Sequence, residues 1–170
     1  MLSSPPMISV IVTAHRESLL IHRTLKSVYA AIEVAEKASI QCELVIALDR
    51  GDDETRRYID QFPIQRHRTV EVDAGDPGVT RNAGAMHATG KYVAYLDGDD
   101  MFCPQWLLAS YKYAESSRVS RLILHPEYNA YFEAINCLVQ YGSCPNAGVS
   151  PLGLAIVNYW TSIIFLRASA

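Results

Sequence analysis

Three carboxylates fall within four residues at Asp97-Gly98-Asp99-Asp100. Like charges this close repel one another unless a cation stands between them. Oxygen-only donors suit a hard ion such as Mg²⁺ or Mn²⁺, which completes its shell with water and substrate phosphates when the protein offers few ligands. Gly98 permits a tight turn there. The competing reading is a solvated acidic turn, common in isolation. Against it stands the position of the cluster, directly after the apolar run Lys91 to Leu96. A calcium EF-hand loop is excluded, because its twelve-residue ligand pattern does not follow. Three more polar clusters end apolar runs in the same way: Thr13-Ala14-His15-Arg16, Asp49-Arg50-Gly51 and Asp73-Ala74-Gly75-Asp76.

Such clusters cooperate only if the elements before them bring their ends together. Met7 to Val12 is rich in β-branched residues and reads as a buried strand. Leu25, Val28, Tyr29 and Ile32 then make one apolar stripe in a helix from Ser18, a candidate N-cap, to about Lys37. Glu43 to Leu48 is the second strand, and Asp52 and Asp53 favour a short helix through Tyr58 and Ile59. Arg68 to Val72 is a weaker third strand, Asp76-Pro77-Gly78 a turn, Val79 to Ala88 a helix and Lys91 to Leu96 the fourth strand. Pro104 suits the first turn of a helix to about Ser116, followed by a strand over Val119 to Leu124. Tyr128 to Val139 is consistent with a hairpin and Tyr159 to Leu166 with a final strand. Strands alternating with helices predict an α/β fold, a three-layer α/β/α sandwich on a mostly parallel central sheet. If the strands are parallel, all four clusters share the carboxyl edge, where open α/β sheets bind ligands. Loops are polar in any case, but here they are unusually rich in aspartate.

The chain has 170 residues, the size of one domain, with 49% hydrophobic and 19% charged residues. That composition excludes disordered and collagen-like classes. A net charge of −3 argues against a general nucleic-acid binder. Cys42, Cys103, Cys137 and Cys144 form no C-x-x-C pair, so free thiols in a reducing compartment are expected rather than a zinc site. The first six residues lack the basic start of a signal peptide. The apolar stretch Leu152 to Leu166 is broken by polar residues and is shorter than the ~20 a spanning helix needs, so it reads as core. Gly84 to Lys91 imitates a phosphate-binding P-loop but has the wrong glycine spacing, and Tyr92 where Ser or Thr is needed. Gly90 is therefore read as a helix C-terminal glycine.

Taken in order, ISVIVTAHRE, ELVIALDRGDDET and DPGVTRNAGAMHATGKYVAYLDGDD resemble the donor-binding half of a family 2 glycosyltransferase of the GT-A fold, from Met7 to about Leu108. The resemblance implies a single domain over 1–170, with 7–108 binding the nucleotide-sugar donor and 109–170 the incomplete start of the acceptor half. It implies that Thr13 lines the nucleotide pocket, that Asp49 hydrogen-bonds the nucleobase (typically uracil), and that Arg81 lies near the diphosphate. Asp97 would face ribose or metal, and Asp99 would ligate Mg²⁺ or Mn²⁺. Each has a plainer alternative: Thr13 ending a strand, Asp49 capping the turn with Gly51, Arg81 pairing with Asp76 on the surface.

The implied reaction is metal-dependent, inverting transfer of a sugar from a nucleotide-diphosphate sugar, UDP-linked by the resemblance, to a hydroxyl of a carbohydrate, lipid-linked or protein acceptor. Leu48 before Asp49, Arg50 after it, and Arg16 where the family often has asparagine leave the base and sugar open. The family's catalytic Asp or Glu comes from a later segment, so no base is assigned; His125 and Glu127 read as surface or packing residues. The expected setting is cytoplasmic, either free or peripheral at the inner membrane face, with no transmembrane segment. Two alternatives remain open: a non-catalytic nucleotide-sugar binding module, and a sugar-phosphate nucleotidyltransferase, whose glycine-rich first loop Thr13-Ala14-His15-Arg16-Glu17 lacks.

Overall fold

The structure, a computed structural model, describes residues 5–64, 66–132, 138–142 and 163–168. The elements run β1 (Ile8–Ala14), α1 (Leu19–Lys37), β2 (Cys42–Asp49), α2 (Asp53–Asp60), β3 (Arg68–Val72) and α3 (Pro77–Ala85). There follow β4 (Tyr92–Asp97), α4 (Trp106–Ser116), β5 (Ile123–Leu124), β6 (Tyr128–Phe132), β7 (Leu138–Gly142) and β8 (Ile164–Arg167). The main sheet has the order β3-β2-β1-β4-β8-β5, and β6 pairs with β7 apart from it. The first four strands are parallel, while β8 runs antiparallel to β4 and β5.

Alternation along the strands builds the layers. Ile8, Val10 and Val12 of β1 point into a core shared with Leu25, Val28 and Ile32 of α1, Ile59 of α2 and Leu107 of α4. Ile11 points the other way and packs with Val45 and Val93. On that second face lies α3, so close that a Cβ on Gly84 would sit 2.6 Å from Ile11 Cγ2. The α/β/α sandwich on a mostly parallel sheet is thus as the sequence predicts. With both faces covered, the strands read as continuous apolar runs.

Several local expectations need correction. Ser18 sits at the N-cap of α1 but makes no capping hydrogen bond; its hydroxyl donates to Glu54 Oε2 at 2.8 Å and its N–H to Thr55 Oγ1 at 3.0 Å, tying α1 to α2. The α3 helix starts earlier than Val79 and stops at Ala85, because Asp76 accepts from Val79 N–H at 2.8 Å and Pro77 takes the first helical position. Pro104 precedes α4 in a turn instead of opening it. The strand over Val119 to Leu124 shrinks to Ile123–Leu124. A hairpin does form from β6 and β7. The last strand is Ile164–Arg167; residues 159–162, with Cys137, Cys144 and most of the stretch from Leu152, lie outside the described residues. No helix among the described residues is long and apolar enough to cross a membrane.

Gly90 is not a helix cap. It lies beyond the end of α3 and packs on the backbone of β1, donating its N–H to Ser9 Oγ at 2.8 Å. A Cβ there would meet Ser9 N at 2.7 Å, and a strand backbone cannot step aside as a side chain can. Gly90→Ala should therefore cost ~1–3 kcal/mol of overpacking. Urea denaturation would show this as a lower midpoint with unchanged slope, and a wild-type midpoint would disprove the tight approach.

Candidate functional site

The same alternation that divides the core also aims the site. Thr13 is two residues beyond Ile11, Asp49 four beyond Val45 and Asp97 four beyond Val93, so all three share the α3 face at the carboxyl edge. Register brings them side by side: Thr13 pairs with Asp97 across β1 and β4 and with Ala47 across β1 and β2. A cleft of about 410 Å³ opens there, lined by Thr13, Asp49, Arg81, Asp97 and Asp99 together with His15, Glu17, Arg50, Gly75 and Thr80, among others. Every sequence-nominated site residue therefore lies in one cleft.

Asp97 is the most heavily engaged. Its Oδ1 accepts from Thr13 Oγ1 at 2.8 Å and from Arg81 Nη2 at 2.7 Å, and Oδ2 lies 2.9 Å from the same nitrogen. Arg81 thus pairs within the cleft with Asp97, not on the surface with Asp76, and both side chains are about 30% exposed. Thr13 does more than end a strand.

Asp49 is buried, and each oxygen accepts a backbone N–H at 2.8 Å, Oδ1 from Ala74 and Oδ2 from Gly75. Burial alone would push its carboxyl up. The Ala74 and Gly75 N–H donors, the Thr80 hydroxyl and the Arg50 charge outweigh it and hold the group below its ordinary value. Arg50 adopts a left-handed φ of 49° and donates Nε to Asp73 Oδ1 at 2.5 Å. Its guanidinium lies over Gly75, also left-handed at φ 65°, where a Cβ would collide with it.

At the other end of the cleft Gly98 N–H donates to the Thr13 carbonyl at 2.7 Å, folding the acidic turn against the end of β1. Asp99 is exposed on that turn. Glu17 lies beside it and accepts the His15 N–H at 2.6 Å. Burial pushes the Glu17 carboxyl up; the His15 N–H opposes this, and the charge on Asp99 adds to it. Among the described residues no three His, Cys, Asp or Glu side chains converge to hold an ion by themselves. The donor set nonetheless fits Mg²⁺ or Mn²⁺ as a shared ligand: Asp99 with Asp97 beside it, all oxygen, too few to satisfy the ion without substrate phosphates.

The lining residues that sequence reasoning did not nominate for the site include His15, Glu17, Arg50, Gly75 and Thr80. His15 Nδ1 lies 2.5 Å from the Asp49 carbonyl, which only accepts, so this nitrogen carries the proton. His15 stands in the polar cluster that ends the first strand, and Glu17 follows that cluster directly. Nothing local marks Thr80 except its place beside Arg81. Arg16 is exposed and is absent from the lining. His125 and Glu127 lie on the connection from β5 to β6 and do not line the cleft either.

The parallel strands of this mixed α/β sheet gather acids, a hydroxyl and an arginine at their carboxyl ends, the edge at which open α/β sheets bind ligands. Residues 9–131 match glycosyl transferase family 2, and the chain belongs to that family. It is 30% identical over 103 residues to the succinoglycan biosynthesis protein ExoO of Rhizobium meliloti (strain 1021), a stretch that is 60% of this chain and 28% of that protein. Among solved structures it resembles S. aureus TarS 1-349 in complex with UDP-GlcNAc, with a TM-score of 0.58 and 22% identity over 69% of this chain and 33% of that one. It also resembles the mannosyltransferase PcManGT of Pyrobaculum calidifontis in complex with GDP-Man and Mn²⁺, with a TM-score of 0.56 and 24% identity over 70% of this chain and 35% of that one. The chain thus spans about a third or less of the length of each. The GT-A fold is common to these structures and to this chain.

The Asp49 clamp sets a pH dependence. A carboxyl held low in the folded state contributes stability above its unfolded value, and that contribution is lost as pH falls through the folded value. Asp49→Asn places an amide N–H against one of the two backbone donors and should cost ~1–3 kcal/mol near pH 7. The gap from wild type should narrow below about pH 4 as the wild-type carboxylate protonates. Urea melts of both proteins across that range measure it; a constant gap would show that ionisation of Asp49 does not matter.

Proposed function

We propose that this chain forms the donor-binding part, residues 7–108, of an inverting glycosyltransferase that uses a nucleotide-diphosphate sugar of the UDP type with Mg²⁺ or Mn²⁺. The observation that carries this reading is the convergence of Thr13, Asp49, Arg81, Asp97 and Asp99 in one cleft at the carboxyl edge of the sheet. On this reading residues 109–170 belong to the part that faces the acceptor.

Each carboxylate has a role suited to its environment. Asp49 spends one lone pair of each oxygen on Ala74 and Gly75, which leaves acceptor capacity for a ring N–H of the base. Asp97, aligned by Thr13 and charge-balanced by Arg81, would face the ribose and help to hold the ion. Asp99 supplies the open carboxylate. The ion, when bound, neutralises the diphosphate leaving group as a Lewis acid. The chain's own residues position the donor so that an acceptor oxygen can bond to the anomeric carbon as the carbon–phosphate oxygen bond breaks. The acceptor's proton passes to a carboxylate base that none of the described cleft residues is assigned to be.

Calorimetry with UDP, with and without Mn²⁺, tests the reading. Binding should need the metal, and equal affinity in EDTA would overturn it. Asp99→Asn should weaken metal-dependent binding by about tenfold or more, the scale of a lost charge-assisted contact, and Asp100→Asn should weaken it less. The reverse order would place the metal ligand at Asp100.

A further inference from the structure

The acidic turn after β4 is held from below by a helix that does not line the cleft. Thr24 of α1 is fully buried, and its hydroxyl lies 2.7 Å from the Gly98 carbonyl oxygen and 2.8 Å from that of Asp100. These two carbonyls flank Asp99. The same hydroxyl also approaches the Leu20 carbonyl of its own helix at 3.3 Å. Three residues on, Ser27 donates its hydroxyl to the Thr24 carbonyl at 2.7 Å and accepts the Phe102 N–H at 3.1 Å. Inside the turn, Asp100 N–H donates to the Asp97 carbonyl at 3.0 Å. The backbone on both sides of Asp99 is thus tied to β1, to Asp97 or to α1.

A hydroxyl has one proton, so Gly98 and Asp100 share it in a three-centre bond or take it in turn. Either way the two peptides are referred to one fixed point in the core. Val in place of Thr would keep the branched shape and remove the donor both carbonyls use. We propose that Thr24, backed by Ser27, is the positioning residue for Asp99: by fixing the peptides on either side, it fixes the direction in which the Asp99 carboxylate meets a divalent ion and its diphosphate. This rests on the reading of Asp99 as the metal ligand. Thr24 touches neither donor nor metal, and it is not a catalytic residue.

The test uses the 170-residue chain, Mn²⁺ and UDP, with calorimetry, Mn²⁺ electron paramagnetic resonance and amide hydrogen exchange across residues 98–102. Thr24→Val should weaken Mn²⁺-dependent binding about tenfold (~1.4 kcal/mol) and speed exchange in the turn. Any Mn²⁺-independent nucleotide binding at the Asp49 end should keep its affinity. Thr24→Ser restores the hydroxyl and should return both properties close to wild type. Should Thr24→Val fail to fold, Ser27→Ala cuts only the second tie and should give a smaller loss in the same direction. Wild-type Mn²⁺ binding by a folded Thr24→Val, equal loss of the Mn²⁺-independent component, or no rescue by serine would each overturn this role while leaving the donor-site reading intact. A wild-type chain that takes up no Mn²⁺ with UDP would instead overturn the metal reading itself, and this role with it.

Discussion

A carboxylate at the end of a central strand cannot stay ionised and half-buried without partners. Asp97 finds two, the Thr13 hydroxyl on β1 and the Arg81 guanidinium on α3. That triad joins three elements that the hydrophobic core alone would only stack. It needs α3 close over the sheet, and Gly84, with no room for a Cβ above Ile11, provides the approach. It also divides labour among the acids. Asp97 has its charge balanced by Arg81, whereas Asp99 is left exposed on the turn.

The other end of the cleft depends on a relay of short hydrogen bonds. Asp49 closes β2 and gathers the N–H groups of Ala74 and Gly75. The loop so held leads straight into Asp76, which caps α3, and α3 carries Thr80 and Arg81 back over the strand ends. Arg50 covers this loop while bound to Asp73. The Asp49 and Asp97 ends of the cleft are therefore linked through the Asp73–Asp76 loop and α3.

Much of this was legible in the sequence, for identifiable reasons. The apolar runs ending in polar clusters became the largely buried strands β1, β2 and β4, and the mostly exposed edge strand β3 falls where expected, at Arg68–Val72. Strand parity alone puts Thr13, Asp49 and Asp97 on one face. What escaped was choice among partners. Ser18 has the right type for a cap, yet Glu54 and Thr55, distant in sequence, compete for it. Gly90 has the right type for a helix end, yet its cause is a strand backbone some eighty positions earlier. For Arg81 the sequence suggested Asp76 as the acidic partner, and only the placement of α3 brings it to Asp97 instead. The strand from Val119 shortened because its apolar residues have little to cover, Val119 and Ile123 being exposed.

The electrostatics of the cleft then bear on what it can hold. Its lining has four carboxylates, Glu17, Asp49, Asp97 and Asp99, against two guanidinium groups. Both guanidiniums are already committed, Arg50 to Asp73 and Arg81 to Asp97. Under the proposed reading, a diphosphate in this cleft would face the open carboxylate of Asp99 with Glu17 beside it, and like charges repel. The Glu17 carboxyl, raised by burial and by Asp99, already registers that crowding. Under the proposed reading, a divalent cation held by Asp99 would offset the repulsion between the turn and the phosphates. On that reading, the ties that Thr24 and Ser27 make to the turn would decide how firmly the Asp99 carboxylate is aimed.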